Sequence, residues 1–238
     1  MKTLIIQAKG GVGKTHLALL LAMKAERDKE KTIVLDVDND TPFLEAVFKK
    51  KPKEEYLFYK PFNLITVKKN ADKDRFDQLF ELAEHAENLI ADFGAGSSAL
   101  FMRYLSETPQ LIGLMKELDL KILFVIAGGN HFSSAEKFMA ELSEIPGIDD
   151  ISYIVANEAF GGTGNFDTIT KAVQADITLP TVFSGDITES TATLWQKALS
   201  EGVSWNTLDQ KITAPATRLR VKAYLEKLYD SIDSALKA

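Results

Sequence analysis

The chain has 238 residues, a formal net charge of −6 and no cysteine. Its length suits one α/β domain with a sizeable core. The absence of cysteine excludes disulfides, thiolate metal sites and cysteine-based catalysis, and it is compatible with a reducing cytosol. No apolar run is long enough for a transmembrane helix, and the acidic balance argues against a wholly DNA-coating surface while allowing a local basic patch.

Apolar runs of strand length alternate with helical patterns along the chain, and no repeat or long linker divides it. This alternation predicts an α/β fold, a single domain over residues 1–238 with a mostly parallel sheet flanked by helices on both faces. The predicted strands are Lys2–Ala8, Thr32–Asp38, Asn63–Val67, Glu87–Gly94, Lys121–Ala127, Ile151–Asn157 and Leu179–Phe183. The clearest predicted helices are Thr15–Lys29, Arg75–Ala86 and Arg218–Leu236.

A glycine-rich turn, KGGVGKT, joins the first strand to the first helix at residues 9–15. Such a turn directs backbone N–H groups to one point, where the helix dipole adds to their preference for an anion. In phosphate-binding loops the lysine before Ser or Thr reaches the β- and γ-phosphates, and the following hydroxyl ligates Mg²⁺. Lys14 and Thr15 fit these roles, although Ala8 stands where the strict pattern has its first glycine. The motif therefore predicts a P-loop NTPase fold.

The same motif resembles the deviant Walker A motif of the ParA/MinD family of P-loop ATPases, which carry an extra lysine where Lys9 stands. The resemblance implies that Lys9 reaches across a dimer interface to the phosphates of the partner's nucleotide. His16 departs from the family, which usually has a second Thr or Ser touching the α-phosphate; its ring can still donate a hydrogen bond. The nucleotide-binding residues implied by the resemblance are Lys9, Gly10, Gly11, Val12, Gly13, Lys14, Thr15 and His16.

Acidic residues follow two of the predicted strands, at the edge where a parallel sheet binds its ligands. The run V-L-D-V-D resembles the family's switch I, which implies that Asp38 orients the attacking water and that Asp36 supports the Mg²⁺ shell. The run L-I-A-D-F-G-A-G resembles Walker B and switch II. By this resemblance Asp92 holds Mg²⁺ through a water, and the amide of Gly96 meets the γ-phosphate.

Asn157 closes another predicted strand, where relatives place an asparagine that reads the adenine edge. An amide side chain can pair with adenine through two hydrogen bonds, so the chemistry suits this role. The alternative is an asparagine that only forms a turn, since the following residues, E-A-F-G-G, are typical of one.

The predicted C-terminal helix is amphipathic, with apolar residues at spacings of four and three. Three interpretations remain open: packing on the sheet or on a dimer partner, a membrane-surface helix, or a nucleic-acid face. A membrane helix needs a strongly cationic face, and the acidic residues among the lysines argue against it. A basic cluster near the start of the helix favours DNA and consists of Lys211, Arg218, Arg220 and Lys222.

Together with these features, the resemblance implies a cytoplasmic, nucleoid-associated ATPase that forms a homodimer with ATP and Mg²⁺. It would bind DNA nonspecifically, release it when a partner protein stimulates hydrolysis, and serve plasmid or chromosome partition. One alternative is a MinD-like or conjugation or pilus positioning ATPase that acts on a membrane or a protein. Another is a metabolic synthetase of the same fold, for which the sequence offers no second motif.

Overall fold

The secondary structure of the computed structural model confirms the predicted alternation of strands and helices. The structure describes residues 1–37, 43–50, 56–62, 73–127, 132–157, 177–179 and 189–236. The strands are β1 (Lys2–Ile6), β2 (Thr32–Val37), β3 (Leu57–Pro61), β4 (Asn88–Phe93), β5 (Leu120–Ala127), β6 (Ser152–Asn157) and β7 (Ile177–Leu179). The helices are α1 (Lys14–Asp28), α2 (Phe43–Phe48), α3 (Lys73–His85), α4 (Ala95–Glu107), α5 (Leu111–Glu117), α6 (Phe132–Ser143), α7 (Glu189–Ser200), α8 (Leu208–Lys211) and α9 (Pro215–Leu236).

The seven strands form one sheet in the order β3-β2-β4-β1-β5-β6-β7, and every pairing is parallel. Because all of the strands run in the same direction, their carboxyl ends lie at one edge of the sheet. The sequence of β5 shows why this arrangement forms: an unbroken apolar run suits a strand that is covered on both faces. Its residues from Ile122 to Ile126 are at most 1% exposed.

Helices cover both faces of the sheet and create two apolar cores. The first core lies on the face of α1 and also contains side chains of α2, α7, α8 and α9. The second core lies on the opposite face and is formed with α3, α4, α5 and α6. This three-layer arrangement confirms the predicted α/β fold.

Strand β3 differs from the prediction. The sequence favoured a strand at Asn63–Val67, which lies outside the described residues, whereas the structure has β3 at Leu57–Pro61. This strand lies at the edge of the sheet, where a proline is tolerated, and Phe58 in its centre is 52% exposed. A strand with an exposed aromatic residue and a terminal proline lacks the buried apolar run by which strands are predicted. The last predicted strand also begins earlier, as β7 at Ile177–Leu179.

The C-terminal helix α9 packs on the sheet, as the first of the three interpretations of its amphipathic pattern requires. Its apolar residues belong to the same core as those of α1. Lys24 forms an ion pair with Asp233 at 3.0 Å, and Arg27 forms one with Glu226. Because its apolar face is buried in the core, α9 does not present that face to a membrane surface in this fold. No helix in the described part of the chain is both long and apolar enough to cross a bilayer.

We expect Leu228→Ala to lower the free energy of unfolding by about 2–5 kcal/mol, since it empties a fully buried site on α9. Leu228 is 1% exposed, whereas Leu219 on the same helix is 68% exposed. Leu219→Ala is therefore the matched control, with an expected change within about 0.5 kcal/mol. Urea unfolding of the three proteins measures both effects. Equal stabilities would contradict the packing of α9 against the core.

Candidate functional site

The glycine loop between β1 and α1 has a backbone shape that only glycine adopts easily. Gly11 has φ = 76° and Gly13 has φ = 99°, both in the left-handed region. A Cβ on Gly11 would meet no heavy atom within 4 Å, so the constraint at this position is the backbone conformation itself. Gly13 is the N-cap of α1 and provides no side-chain cap. The first N–H groups of α1 therefore remain available to an anion.

The two lysines of the loop occupy different environments. Lys14 is the first residue of α1 and is 7% exposed, and its Nζ donates a hydrogen bond to the carbonyl oxygen of Lys9 at 3.0 Å. The ammonium group is thus held back over the loop. Lys9 itself is exposed at the start of the loop. One lysine side chain is therefore buried against the loop, whereas the other is exposed at the surface.

Asp36 and Asp92 are brought together by the register of β2 and β4. They are direct cross-strand neighbours, 4% and 2% exposed, on the face of the sheet that α1 covers. One oxygen of Asp36, Oδ2, accepts hydrogen bonds from the hydroxyl of Tyr59 at 3.2 Å and from the backbone N–H of Glu45 at 3.3 Å. Burial, together with the nearby Asp36 carboxylate, raises the pKa of Tyr59 well above its ordinary value, so its hydroxyl remains a donor.

Helix α4 begins directly after β4, with Gly94 as its N-cap. Gly96 therefore lies in the first helical turn, where backbone N–H groups have no partner within the helix, and it is exposed. Phe93 is fully buried and packs against Phe101 with ring centroids 5.1 Å apart. The start of this helix is anchored by an aromatic contact on one side and faces solvent on the other.

Two serines of α4 tie its first turn to the ends of β1 and β2. Ser97 donates a hydrogen bond from its hydroxyl to the carbonyl oxygen of Val37 at 2.6 Å. The hydroxyl oxygen of Ser98 accepts from the backbone N–H of Gln7 at 3.1 Å and donates to the carbonyl of Gly94 at 2.9 Å. The first turn of α4 is thus joined to the residue before Asp38 and to Gln7, two residues before the glycine loop.

These two serines, with Tyr59, are site residues that the sequence did not predict. A serine in a first helical turn commonly caps the helix, so its type alone gave no sign of a contact to another strand. Tyr59 belongs to the strand that was missed. The predicted water-orienting residue, Asp38, lies outside the described residues, and Val37 is the last described residue before it.

Asn157 lies at the carboxyl end of β6 and is 2% exposed. Its side-chain Nδ2 donates a hydrogen bond to the carbonyl oxygen of Val12 in the glycine loop, at 2.8 Å. Its role in binding adenine stays a prediction, and the described contact joins it to the backbone of the glycine loop.

His16 is half-buried in the first turn of α1. Burial lowers the pKa of His16 to about 4, so the imidazole is neutral near pH 7. A neutral ring has one N–H donor and one acceptor. It can therefore donate one hydrogen bond, as the predicted phosphate contact requires, but adds no positive charge.

Residues 3–161, more than half of the chain, match the family described as the CobQ/CobB/MinD/ParA nucleotide binding domain. The chain belongs to this family. The matched range of this CobQ/CobB/MinD/ParA domain includes the glycine loop, both buried aspartates and Asn157, and it confirms the resemblance drawn from the motif. A sequence comparison with curated proteins gave no match.

Solved structures share the fold of the chain at low sequence identity. A candidate plasmid partition protein of Borrelia burgdorferi B31 bound to AMPPNP has a TM-score of 0.58 and 11% identity, over 96% of this chain and 97% of that one. An Asp→Ala variant of Cyanothece McdA in complex with ATP has a TM-score of 0.56 and 12% identity, over 99% and 96%. MinD of Pyrococcus horikoshii OT3 with Mg-ADP has a TM-score of 0.54 and 12% identity, over 95% and 94%.

The lowered pKa of His16 predicts a pH-dependent contribution to the stability of this family member. Between the ordinary pKa of 6.5 and about 4, the unfolded chain binds a proton that the folded chain does not. The contribution is therefore complete above pH 6.5 and is lost as the pH falls towards 4. From pH 7 to pH 5 we expect wild-type protein to lose about 2 kcal/mol more stability than His16→Gln.

Urea unfolding at the two pH values measures this difference. His85→Gln, which changes an exposed histidine on α3, is the control and should follow the wild type. If His16→Gln also followed the wild type, the lowered pKa of His16 would be refuted.

Proposed function

We propose that this protein is an ATP-dependent dimerising switch with slow ATPase activity, and that it positions DNA cargo in plasmid or chromosome partition. The observation that supports this most is the contrast between the two lysines of the glycine loop. The buried Lys14 is held beside the loop by the Lys9 carbonyl, whereas Lys9 is exposed. A nucleotide bound within one subunit needs only the first lysine. An exposed second lysine can serve a nucleotide held by another copy of the chain.

In this proposal ATP binds with its phosphates at the head of α1. The N–H groups of Gly11, Gly13 and the first turn of α1 surround the phosphates, and Nζ of Lys14 exchanges the Lys9 carbonyl for a phosphate oxygen. A phosphate oxygen is the stronger partner because the hydrogen bond is then charge-assisted on both sides. The first turn of α4, with the amide of Gly96, contributes from the neighbouring strand.

The residues beside the loop fit a magnesium ion. Mg²⁺ prefers hard oxygen ligands and usually binds through phosphates, waters and one or two carboxylates. Thr15, Asp36 and Asp92 supply a hydroxyl and two buried carboxylates at one edge of the sheet. Magnesium would neutralise charge on the phosphates during hydrolysis. Thr15 would hold it directly and the aspartates through water, with Asp36 kept in place by Tyr59 and Glu45.

Hydrolysis in this proposal is performed by a water that Asp38 orients, after which the dimer separates. Phosphoryl transfer needs a metal, a lysine and a positioned water more than covalent chemistry. Ser97 holds the Val37 carbonyl, so the segment that leads to Asp38 is linked to the turn containing Gly96. A stimulating partner protein would act on this linked pair.

The proposed matrix is nonspecific DNA on the nucleoid, in the cytoplasm. The basic cluster at the start of α9 supports it, although one acid lies against the cluster: Lys222 pairs with Asp209 at 2.9 Å, and Arg218 lies 3.4 Å from the same carboxylate. Arg220 is exposed on the same helix. Pairing of this kind on a surface contributes little energy and can be exchanged for phosphate contacts, which makes DNA binding strongly dependent on salt.

We expect Lys14→Ala to weaken ATP binding by more than about tenfold, because a charge-assisted contact to phosphate is lost. Lys9→Ala should bind ATP normally but fail to dimerise. Calorimetry measures the affinity, and analytical ultracentrifugation with ATP and Mg²⁺ measures the dimer. Lys137→Ala, on the exposed side of α6, is the control for removing a lysine from the surface. An ATP dimer that survives Lys9→Ala would refute the role of Lys9 in trans, and retained affinity in Lys14→Ala would refute the phosphate site.

We expect Asp38→Ala to accumulate as an ATP-bound dimer, because the attacking water is no longer oriented. Co-sedimentation of this variant with nonspecific DNA and with anionic liposomes, at moderate salt, tests the matrix. DNA binding with ATP but not with ADP is the expected result. Binding to liposomes instead would favour a MinD-like function.

ATP turnover by wild-type protein, measured without any further substrate over a range of protein concentrations, tests the synthetase alternative. For a dimerising switch, the rate of ATP turnover should rise more steeply than in proportion to the protein concentration. A synthetase should show neither substrate-free turnover nor this concentration dependence.

A further inference from the structure

The contact between Asn157 and Val12 joins two distant parts of the chain at the glycine loop. Asn157 is 2% exposed at the carboxyl end of β6, and its Nδ2 reaches the carbonyl oxygen of Val12 across 145 positions of sequence at 2.8 Å. A hydrogen bond in such a buried place is costly to lose, because the carbonyl would remain without its partner.

Val12 is held in place within a loop whose neighbouring glycines can adopt many backbone conformations. Its side chain is 1% exposed and belongs to the apolar core that also contains Val125 and Val155. The residues on either side, Gly11 and Gly13, both adopt left-handed conformations that glycine enters freely. The loop is therefore held at Val12 by an apolar contact through the side chain and by Asn157 through the backbone.

The orientation of the Val12–Gly13 peptide decides what the loop presents to an anion. A peptide is planar and trans, so its C=O and N–H groups point in opposite directions. Holding the Val12 carbonyl towards Asn157 directs the N–H of Gly13 away from Asn157, next to the first turn of α1. A rotated peptide would place a carbonyl oxygen where the phosphate oxygens are proposed to bind, and the two would repel each other.

We infer that Asn157 is a positioning residue for phosphate binding, which acts by holding the Val12–Gly13 peptide in the orientation that donates to phosphate. This inference rests on the proposed function for the identity of the ligand. It differs from the adenine contact predicted from sequence in one measurable respect. An adenine reader affects only ligands that have a base, whereas a positioning residue affects every ligand that binds through its phosphates.

Calorimetry with ATP and with inorganic tripolyphosphate, both with Mg²⁺, separates the two roles. We expect Asn157→Ala to weaken both ligands by the same factor, about tenfold, which corresponds to one lost hydrogen bond of about 1.4 kcal/mol. A loss for ATP alone, or no loss for either ligand, would overturn the inference. Asn88→Ala is the matched control, since Asn88 also donates to a backbone carbonyl, that of Lys31, at the opposite end of the strands.

A second measurement needs no ligand and separates failure of the inference from failure of the proposed function. The amide resonance of Gly13 in an NMR spectrum should shift in Asn157→Ala relative to the wild type, and should stay in place in Asn88→Ala. An unchanged Gly13 resonance overturns the inference even if ATP binds. A shifted resonance in Asn157→Ala, together with wild-type protein that binds neither ATP nor tripolyphosphate, supports the contact and refutes the proposed function instead. If Asn157→Ala does not fold, Asn157→Ser, with a smaller polar side chain, takes its place in both measurements.

Discussion

Helix α1 is buried between the sheet and α9, and the candidate nucleotide site at the carboxyl ends of the strands depends on this constraint. Eleven of the fifteen residues of α1 are buried, so the helix cannot lie on a surface and must be covered on more than one side. The sheet covers one side, and the apolar face of α9 belongs to the same core. When α1 is enclosed in this way, its N-terminus lies beside the carboxyl ends of β1 and β4.

The parallel sheet then brings the remaining groups to the same edge. Because β4 lies between β1 and β2, Asp92 is the register neighbour of both Ile5 and Asp36. The sheet therefore brings together a glycine loop, two buried carboxylates and the start of α4. No long-range motif in the sequence specifies how far apart these groups lie. The hydroxyls of Ser97 and Ser98 add direct links between these parts, so the groups that would bind nucleotide are connected by hydrogen bonds as well as by proximity.

Sequence patterns predicted the parts of this arrangement that depend on local chemistry. The glycine loop, the central strands and the acids at their ends all have residue types that permit few other uses. What the sequence could not predict depends on tertiary contacts: β3 is an exposed edge strand with a poor apolar pattern, and Tyr59 acquires its role only by lying next to Asp36. Asn157 shows the same limit, since nothing in its neighbourhood in sequence indicates a hydrogen bond to Val12.

The ion pairs at the far end of α1 have a mechanical consequence. Lys24 lies between Asp28 and Asp233; burial opposes its charge, but the two carboxylates outweigh this and raise the pKa of Lys24. Arg27 pairs with Glu226 and lies over the ring of Tyr229, with its guanidinium carbon 4.7 Å from the centroid. Sliding of α1 along its axis would break these contacts together. A helix fixed at its distal end acts as a rigid strut, so we expect the N-terminus of α1 and the glycine loop joined to it to keep their position along the helix axis during nucleotide exchange.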